Sequence, residues 1–366
     1  MEFTLVWRGW ALRSMDFKLL DFPSNINEEI TENITRVVNS NFWSTGPESK
    51  IVEDHFTKIY KRRCITTSSG GSALQLIHDA YKNVKRIAIQ SNTYFATSLP
   101  WVNSNKEIFL MGSHSYSLMP SIEIVKNVIQ KGIDALIITH IGGYPNPNIE
   151  LIAELCSNNG VILIEDCAHS PLVKINKKLV GTFGDAAILS FYPTKPIPAG
   201  EGGLAIIKNK SKAFEIEKMR DYGKSKDENG STRHLLPAFP NARLNEFAAC
   251  IVNTILRNYI SILNAKKKVS NLYHSKLDNN LLLTRIYPDD LEIEASYYKF
   301  ICFLEKSKYQ TAPVYDRENQ LISIFRDNNI NFEFIGDKEF AYNHICLPIT
   351  CNMTEKDIDE ILNNTD

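Results

Sequence analysis

Residues 181–203 read GTFGDAAILSFYPTKPIPAGEGG, and the fold follows from how this stretch is read. The apolar run Ala186–Phe191 delivers one lysine, Lys195, into a turn built by Pro193, Pro196 and Pro198, and the corner Glu201-Gly202-Gly203 follows at once. Proline holds φ near about −65° and removes an amide donor, so this lysine belongs to a short fixed loop at a strand end, not to a helix or a strand interior. Upstream, RIAIQ (86–90), EIFLM (107–111), DALIITH (134–140) and VILIED (161–166) are further apolar runs, parted by the helical stretches TSLPWVNS, IEIVKNVIQKG and IELIAELCSNNG. Strands that are apolar on both faces and alternate with helices predict a mostly parallel α/β sheet. In such a sheet ligands bind beyond the carboxyl ends of the strands. That singles out Asn92, Thr93 and Tyr94, then His140, then Asp166 and His169, and finally Ser190 and Lys195.

On the N-terminal side, residues 27–40 and 48–61 carry apolar positions at helical spacing, parted by a Gly46-Pro47 turn. The run CITTSS (64–69) leads through Gly70 and Gly71 into a third helix. A strand, a glycine turn and a helix start form an anion site, because the first amides lack partners and the dipole favours negative charge. The spacing is neither that of a P-loop nor that of a dinucleotide fingerprint. Beyond Gly203, GLAIIK (203–208) predicts an antiparallel or edge strand, 223–234 a charged flexible segment, and 244–277 a long amphipathic helical region. The C-terminal part holds the strand YYKFICFL (297–304), a helix around 316–328 and a final helix, TEKDIDEILNN, with Thr354 and Asp357 as N-cap and first-turn acid. The expected organisation is an N-terminal extension (1–14) with Met15 as a start, a large α/β domain (15–243), and a bridging helix with a smaller α+β C-terminal domain (244–366).

The chain has 366 residues, enough for two domains and a large core. Its 41 basic and 42 acidic side chains leave a net charge of −1, which gives no reason to expect nucleic acid or an anionic membrane as a partner. Seven cysteines, scattered and mostly in apolar runs, read as reduced thiols of a cytoplasmic protein. None of their spacings is that of a metal site, so no metal is expected. The opening MEFTLVWRGWALRSMDF is interrupted by Arg8 and Arg13 and is too short to span a bilayer.

An acid at one strand end, a lysine on a later strand turn, an anion-binding helix start and an aromatic residue near both are the parts that hold pyridoxal phosphate. Lys195 would form the Schiff base, which requires a partly neutral amine and hence a site that lowers its pKa. Asp166 would keep the pyridine nitrogen protonated, so that the ring can accept an electron pair from the substrate Cα. Tyr94 would stack on the ring, Ser190 and the amides of Gly70 and Gly71 would hold the phosphate, and His169 would contact the ring hydroxyl. Singly, each has a plainer reading: a solvated lysine in a proline turn, a helix-capping aspartate, a core tyrosine, a hydrogen-bonded histidine.

These residues resemble the DegT/DnrJ/StrS family, pyridoxal-phosphate-dependent nucleotide-sugar aminotransferases with the aspartate aminotransferase fold (fold type I), and the likeness covers nearly the whole chain. SSGGSAL (68–74) is similar to the family's phosphate turn SGTaAL, NTYFAT (92–97) to its TF-x-AT segment, THIGGYP (139–145) to VHLYGqP and EDCAHS (165–170) to EDaAqa. FPNARLNEFAA (239–249) is similar to GxNyRmsElqAA, and LPITCNMTEKDIDEIL to the closing helix. Residues 181–203 resemble the most specific signature, GxxGDaxxFSFxxTKxxxxGEGG.

The resemblance implies that Lys195 carries the cofactor, Asp166 pairs with its ring nitrogen, Tyr94 stacks, Gly70, Gly71 and Ser190 bind phosphate, and His169 lies near the ring oxygen. It implies a homodimer with shared active sites, in which Asn241 reaches the partner's phosphate with Arg243 beside it; Arg243 and His140 are the expected substrate contacts. The implied reaction moves an amino group from L-glutamate to a nucleotide-linked 4-keto-6-deoxyhexose, first a dTDP-sugar aminated at C-4, for lipopolysaccharide O-antigen or another glycan. The alternatives are a C-3 aminotransferase, the family's sugar dehydratase branch and, from another class, a catalytically inactive cofactor-binding regulator. Lys195 weighs against the dehydratase branch, which carries histidine at that position. Three departures bear on specificity: Gly71 stands where the family has Thr, Gly142 and Tyr144 replace Tyr and Gln of VHLYGqP, and the region 325–348 is short.

Overall fold

The structure is a computed structural model that describes residues 20–113, 118–234, 236, 238–278, 282, 284, 287–288, 290–303, 320–336 and 344–363. The expected extension, its boundary at Met15, Leu304 of the expected strand and the start of the helix expected around 316–328 lie outside the described residues. Helices α1 (Ser24–Ser40) and α2 (Pro47–Tyr60) precede β1 (Arg63–Thr67), α3 (Gly70–Ala80), β2 (Arg86–Gln90), α4 (Leu99–Asn103) and β3 (Glu107–Met111). Next come α5 (Ile122–Gln130), β4 (Ala135–Thr139), α6 (Ile149–Asn158), β5 (Ile162–Asp166), the short pair β6 (Lys174–Ile175) and β7 (Lys178–Leu179), then β8 (Ala186–Ser190) and β9 (Gly203–Ile207). The remainder is α7 (Lys210–Met219), β10 (Lys224–Lys226), β11 (Thr232–His234), α8 (Glu246–Arg257), α9 (Tyr259–Lys276), β12 (Ile293–Glu294), β13 (Phe300–Phe303), α10 (Gln320–Asp327), β14 (Phe332–Ile335), β15 (His344–Leu347) and α11 (Glu355–Asn363).

The central sheet has the order β1-β9-β8-β5-β4-β2-β3-β14. From β8 to β14 every pairing is parallel, whereas β9 runs antiparallel to both neighbours. This is the mostly parallel sheet that the apolar runs predict, and the reason is burial on both faces. Ile87, Ile89, Ala135, Ile137, Ile164 and Ile188 pack with α3, α4, α7 and α10. The alternate residues Ala88, Leu136, Ile138 and Leu163 meet α5 and α6, and Ala187, Leu189, Leu204 and Ile206 meet α2 and α8. Register then gathers the site: Thr139 pairs with Asp166 and Asp166 with Ile188, so β4, β5 and β8 end at one edge.

Three elements differ from the sequence reading. The region expected as one long helix is two, α8 and α9, parted at Asn258, whose amide donates to Glu29 Oε2 (2.7 Å) and to Thr254 O (3.0 Å). Residues 223–234, expected to be flexible, include the hairpin β10–β11. Its turn is held by Asp227, which accepts from the Asn229 and Ser231 amides and pairs with Arg233 at 3.0 Å. β14 extends the sheet beside β3, pairing Phe332 with Ile108 and Ile335 with Met111. Helix α10 buries Leu321 and Phe325 in the same core.

Candidate active site

Beyond β8 the chain closes a tight loop: Phe191 N donates to Gly202 O (2.8 Å), Ala199 N to Phe191 O (2.7 Å) and Lys195 N to Tyr192 O (2.9 Å). Lys195 is half-buried, and its Nζ lies 5.3 Å from the centroid of the Tyr298 ring. Burial lowers its pKa to about 8; Asp166 opposes that shift and Lys299 adds to it. A lowered pKa means more neutral amine at any given pH. In cofactor-free protein, acylation of Lys195 by acetic anhydride, followed by peptide mass spectrometry, is therefore expected to rise with pH and level off above about 8. A rate still climbing beyond pH 10, as for a free lysine at about 10.4, would contradict the desolvated site.

Asp166 is 4% exposed. Its Oδ2 accepts from Thr97 Oγ1 (2.8 Å) and its Oδ1 from the Ala168 amide (3.0 Å). Thr97 in turn meets Thr93 Oγ1 (3.0 Å), which meets Thr139 Oγ1 (2.7 Å). This hydroxyl chain fixes the carboxylate's rotamer from below, and Thr97 is a site residue that the sequence reading missed; the closing Thr of NTYFAT was its only signal.

At the start of α3, Ser69 caps the helix, its Oγ accepting from Ser72 N (3.0 Å), and Ser72 Oγ lies 2.9 Å from Ser68 Oγ. The first backbone bond of the helix is that of Ala73 N to Ser69 O (3.1 Å), so the Gly70 and Gly71 amides open ahead of the ladder. Gly70 packs on Ser190: a Cβ there would lie 3.2 Å from the Ser190 Cβ. Gly203 is what lets this turn seat on the sheet, since a Cβ at 203 would lie 2.4 Å from the Ser69 carbonyl carbon and 2.5 Å from Gly70 N. Both neighbours are backbone. Gly203→Ala is thus expected to cost about 1–3 kcal/mol in urea unfolding and to weaken cofactor retention. Gly71→Ala, whose Cβ would find its nearest neighbour at 3.6 Å, should leave the urea midpoint within about 0.5 kcal/mol. Equal midpoints for the two variants would refute the seating argument.

His169 is buried, and its ring centroid lies 4.5 Å from that of Tyr298. Its Nδ1 accepts from the Gly142 amide (3.4 Å), and burial, with Lys195 and Lys299 nearby, holds its pKa well below the ordinary range, so the ring is neutral. Tyr298 donates to Thr194 Oγ1 (3.2 Å). Neither Tyr298 nor Lys299 is announced by the sequence. Tyr94 stands 59% exposed at the head of the turn after β2. His140 is fully buried and both ring nitrogens are engaged: Nδ1 accepts from Asn146 N (3.0 Å) and Nε2 faces Glu165 Oε2 (3.1 Å). Glu165, His140 and Cys167 bring potential ligand atoms within 4.8 Å of one another. However, the Glu165 carboxylate already accepts from the amides of Gly181, Phe183 and Gly184, so the group is satisfied without a cation. Asn241 is exposed and its Oδ1 accepts from Arg243 N (3.0 Å); Arg243 pairs with Asp221. The intervening Ala242 carbonyl accepts from Ser68 N (2.7 Å), which ties this corner to the turn before α3.

The donor set fits pyridoxal phosphate. Amides and three serine hydroxyls suit a phosphate, a buried carboxylate suits a protonated ring nitrogen, and an amine with lowered pKa suits a carbonyl partner. The profile of the DegT/DnrJ/EryC1/StrS aminotransferases matches residues 24–365. The chain belongs to this family. It is a pyridoxal-phosphate-dependent sugar aminotransferase of fold type I. Among relatives of this family member, GDP-perosamine synthase of Vibrio cholerae is 26% identical over 328 residues, 85% of this chain and 88% of that protein. Helicobacter pylori PseC, an aminotransferase of pseudoaminic acid biosynthesis, shares the fold with a TM-score of 0.79 at 17% identity, over 92% of this chain and 95% of that one. A GDP-4-keto-6-deoxymannose-3-dehydratase (ColD) with bound GDP-perosamine gives a TM-score of 0.81 at 18% identity, over 96% and 100%.

Proposed function

We propose that this aminotransferase moves the amino group of L-glutamate to the C-4 ketone of a nucleotide-linked 4-keto-6-deoxyhexose destined for a surface glycan. The observation that carries the reading is Lys195 itself, half-buried with a pKa of about 8 in a site that also holds Asp166 and His169. A histidine there would suit the dehydratase branch, and a regulator would have no use for a tuned amine. When bound, the cofactor supplies an electron sink that lets an amino acid lose its Cα proton. Every other task falls to the chain. Lys195 Nζ holds the cofactor and, when released, carries the Cα proton to and fro. Asp166 keeps a proton on the ring nitrogen, and Thr97 holds Asp166 in place. Ser190 and the start of α3 would bind the phosphate, Tyr94 would cover one ring face, and neutral His169, whose Nδ1 accepts from the Gly142 amide, would donate from Nε2 at the ring oxygen.

The active sites are shared between two subunits in this reading, with Asn241 acting on the partner's phosphate and Arg243 beside it; exposure of Asn241 in the single chain supports it. Among the described residues no helix is long and apolar enough to cross a membrane, and the seven cysteines are free, which suits a reducing cytoplasm. The test is a two-stage turnover. L-Glutamate should convert the loaded enzyme to its aminated form, and addition of dTDP- or GDP-linked 4-keto-6-deoxyhexose should regenerate it, with the product's amine located by mass spectrometry and NMR. No conversion by glutamate would sink L-glutamate as the donor, and amination at C-3 would replace C-4. GDP enters the test because a relative is named for GDP-perosamine.

A further inference from the structure

The corner after β4 is made of two glycines with left-handed backbones, Gly142 (φ 68°) and Gly143 (φ 97°). The space their missing side chains leave is filled from the C-terminal part of the chain. A Cβ on Gly142 would lie 2.3 Å from Ile301 Cδ1, and one on Gly143 would lie 2.5 Å from Ser296 Oγ, 2.8 Å from Tyr298 N and 3.2 Å from Tyr298 Cβ. Three bonds fasten the segment there: Ser296 N to Gly143 O (3.0 Å), Lys299 N to Gly142 O (3.1 Å) and Ser296 Oγ to His169 O (2.8 Å). Between them Tyr297 takes a left-handed backbone (φ 50°), which a bulky residue adopts only where its surroundings impose it. The residue that this corner sets down in the site is Tyr298.

Tyr298 touches three parts of the machinery at once. Its hydroxyl donates to Oγ1 of Thr194, the residue before Lys195 (3.2 Å), and its ring centroid lies 4.5 Å from that of His169, with the planes 31° apart. Lys195 Nζ lies 5.3 Å from the same centroid, within cation–π reach. The tyrosine is 9% exposed and held at both ends, by Thr194 at the hydroxyl and by the glycine corner at the backbone, so its ring is a fixed wall. Lysine, by contrast, carries its amine on a flexible four-carbon stem. Proton transfer needs the reacting atoms placed closely, and a misplacement of about 1 Å costs on the order of 10²-fold. A carboxylate against Nζ would hold the ammonium form by its full charge. An aromatic face attracts the ammonium more weakly and leaves the amine free to give up and take a proton.

We propose that Tyr298 is a positioning residue for Lys195: its ring, fixed through Thr194 and the Gly142-Gly143 corner, holds the released amine where it takes up and returns the Cα proton. The inference rests on the aminotransferase reading above. Its test compares Tyr298→Phe, which keeps the ring and loses the hydroxyl, with Tyr298→Leu, which loses both; Tyr298→Met replaces the leucine variant should that one not fold. In the loaded enzyme, stopped-flow absorbance of the half reaction with L-glutamate should show a limiting rate about 10- to 100-fold lower for Tyr298→Leu, with half-saturation and cofactor content within threefold of the parent. Tyr298→Phe should stay within about fivefold in rate, less than the loss of the ring costs. In cofactor-free protein, the midpoint pH for acylation of Lys195 should be lower in Tyr298→Leu than in Tyr298→Phe by about 0.4 to 1.5 pH units, because losing the ring disfavours the ammonium form. The other groups facing Nζ, namely Asp166, Lys299 and His169, are the same in both variants. A leucine variant within threefold of the phenylalanine variant in limiting rate, or an acylation midpoint that does not fall, would overturn the proposal. So would a loss of cofactor and of urea midpoint with the rate per bound cofactor unchanged, the mark of a tyrosine that only fills the core. A parent enzyme that never responds to glutamate would overturn the donor reading, and the acylation midpoints would still decide the role of Tyr298.

Discussion

Lys195→Ala is expected to lose the visible absorbance of the lysine-bound cofactor and to lower aminotransfer from L-glutamate by about 10⁴-fold, since one side chain supplies both the covalent attachment and the proton transfer. Lys195→Arg should fall nearly as far. Arginine keeps the charge but stays protonated above pH 12 and cannot act as nucleophile or base, so the pair separates chemistry from electrostatics. The alanine change should not lower the urea midpoint of the cofactor-free protein: Lys195 is a half-buried cation near a second one, Lys299, and removing it relieves desolvation and repulsion. Stopped-flow absorbance with glutamate, alongside urea unfolding, checks both halves. An alanine variant that turns over within tenfold of the parent would end the assignment of Lys195.

The Lys195 loop was legible because its prolines and the Glu-Gly-Gly corner act locally, and the parallel sheet because strands buried on both faces leave no polar alternation to misread. Tyr298 and Lys299 were not, since a chain position far from the β-strand ends says nothing about the corner it will fill; the clue was the bare pair Gly142-Gly143, whose emptiness invites a neighbour but does not name it. Charge composition could not separate the β10–β11 hairpin from a flexible loop, because Asp227 organises the turn through amides that carry no sequence signature. The half-polar FEFI of β14 lacked the apolar run of an interior strand because it lies on the sheet's edge.

Neighbouring acids Glu165 and Asp166 point to opposite sides of β5, and only one faces the chemistry. Glu165 lies beneath: it is 0% exposed and accepts from Gly181 N (2.7 Å), Phe183 N (2.9 Å), Gly184 N (2.7 Å) and His140 Nε2 (3.1 Å). The Arg62 guanidinium holds the same loop through the Gly184 and Thr182 carbonyls. That loop feeds β8 and, through it, Lys195. Truncation in Glu165→Ala strands four donors in the interior at about 1–3 kcal/mol each, a sum comparable to the whole stability of many domains, so this variant is expected not to fold. Glu165→Gln keeps the shape and one acceptor oxygen but turns an NH₂ toward N–H donors, and should lower unfolding free energy by about 3 kcal/mol or more, with cofactor lost at lower urea than the global transition. A glutamine variant within 1 kcal/mol of the parent would show that the loop's amides find other partners. If His140, Glu165 and Cys167 instead bound a divalent cation, chelation of the parent protein would lower its melting temperature, whereas a strut made of hydrogen bonds is indifferent to chelator.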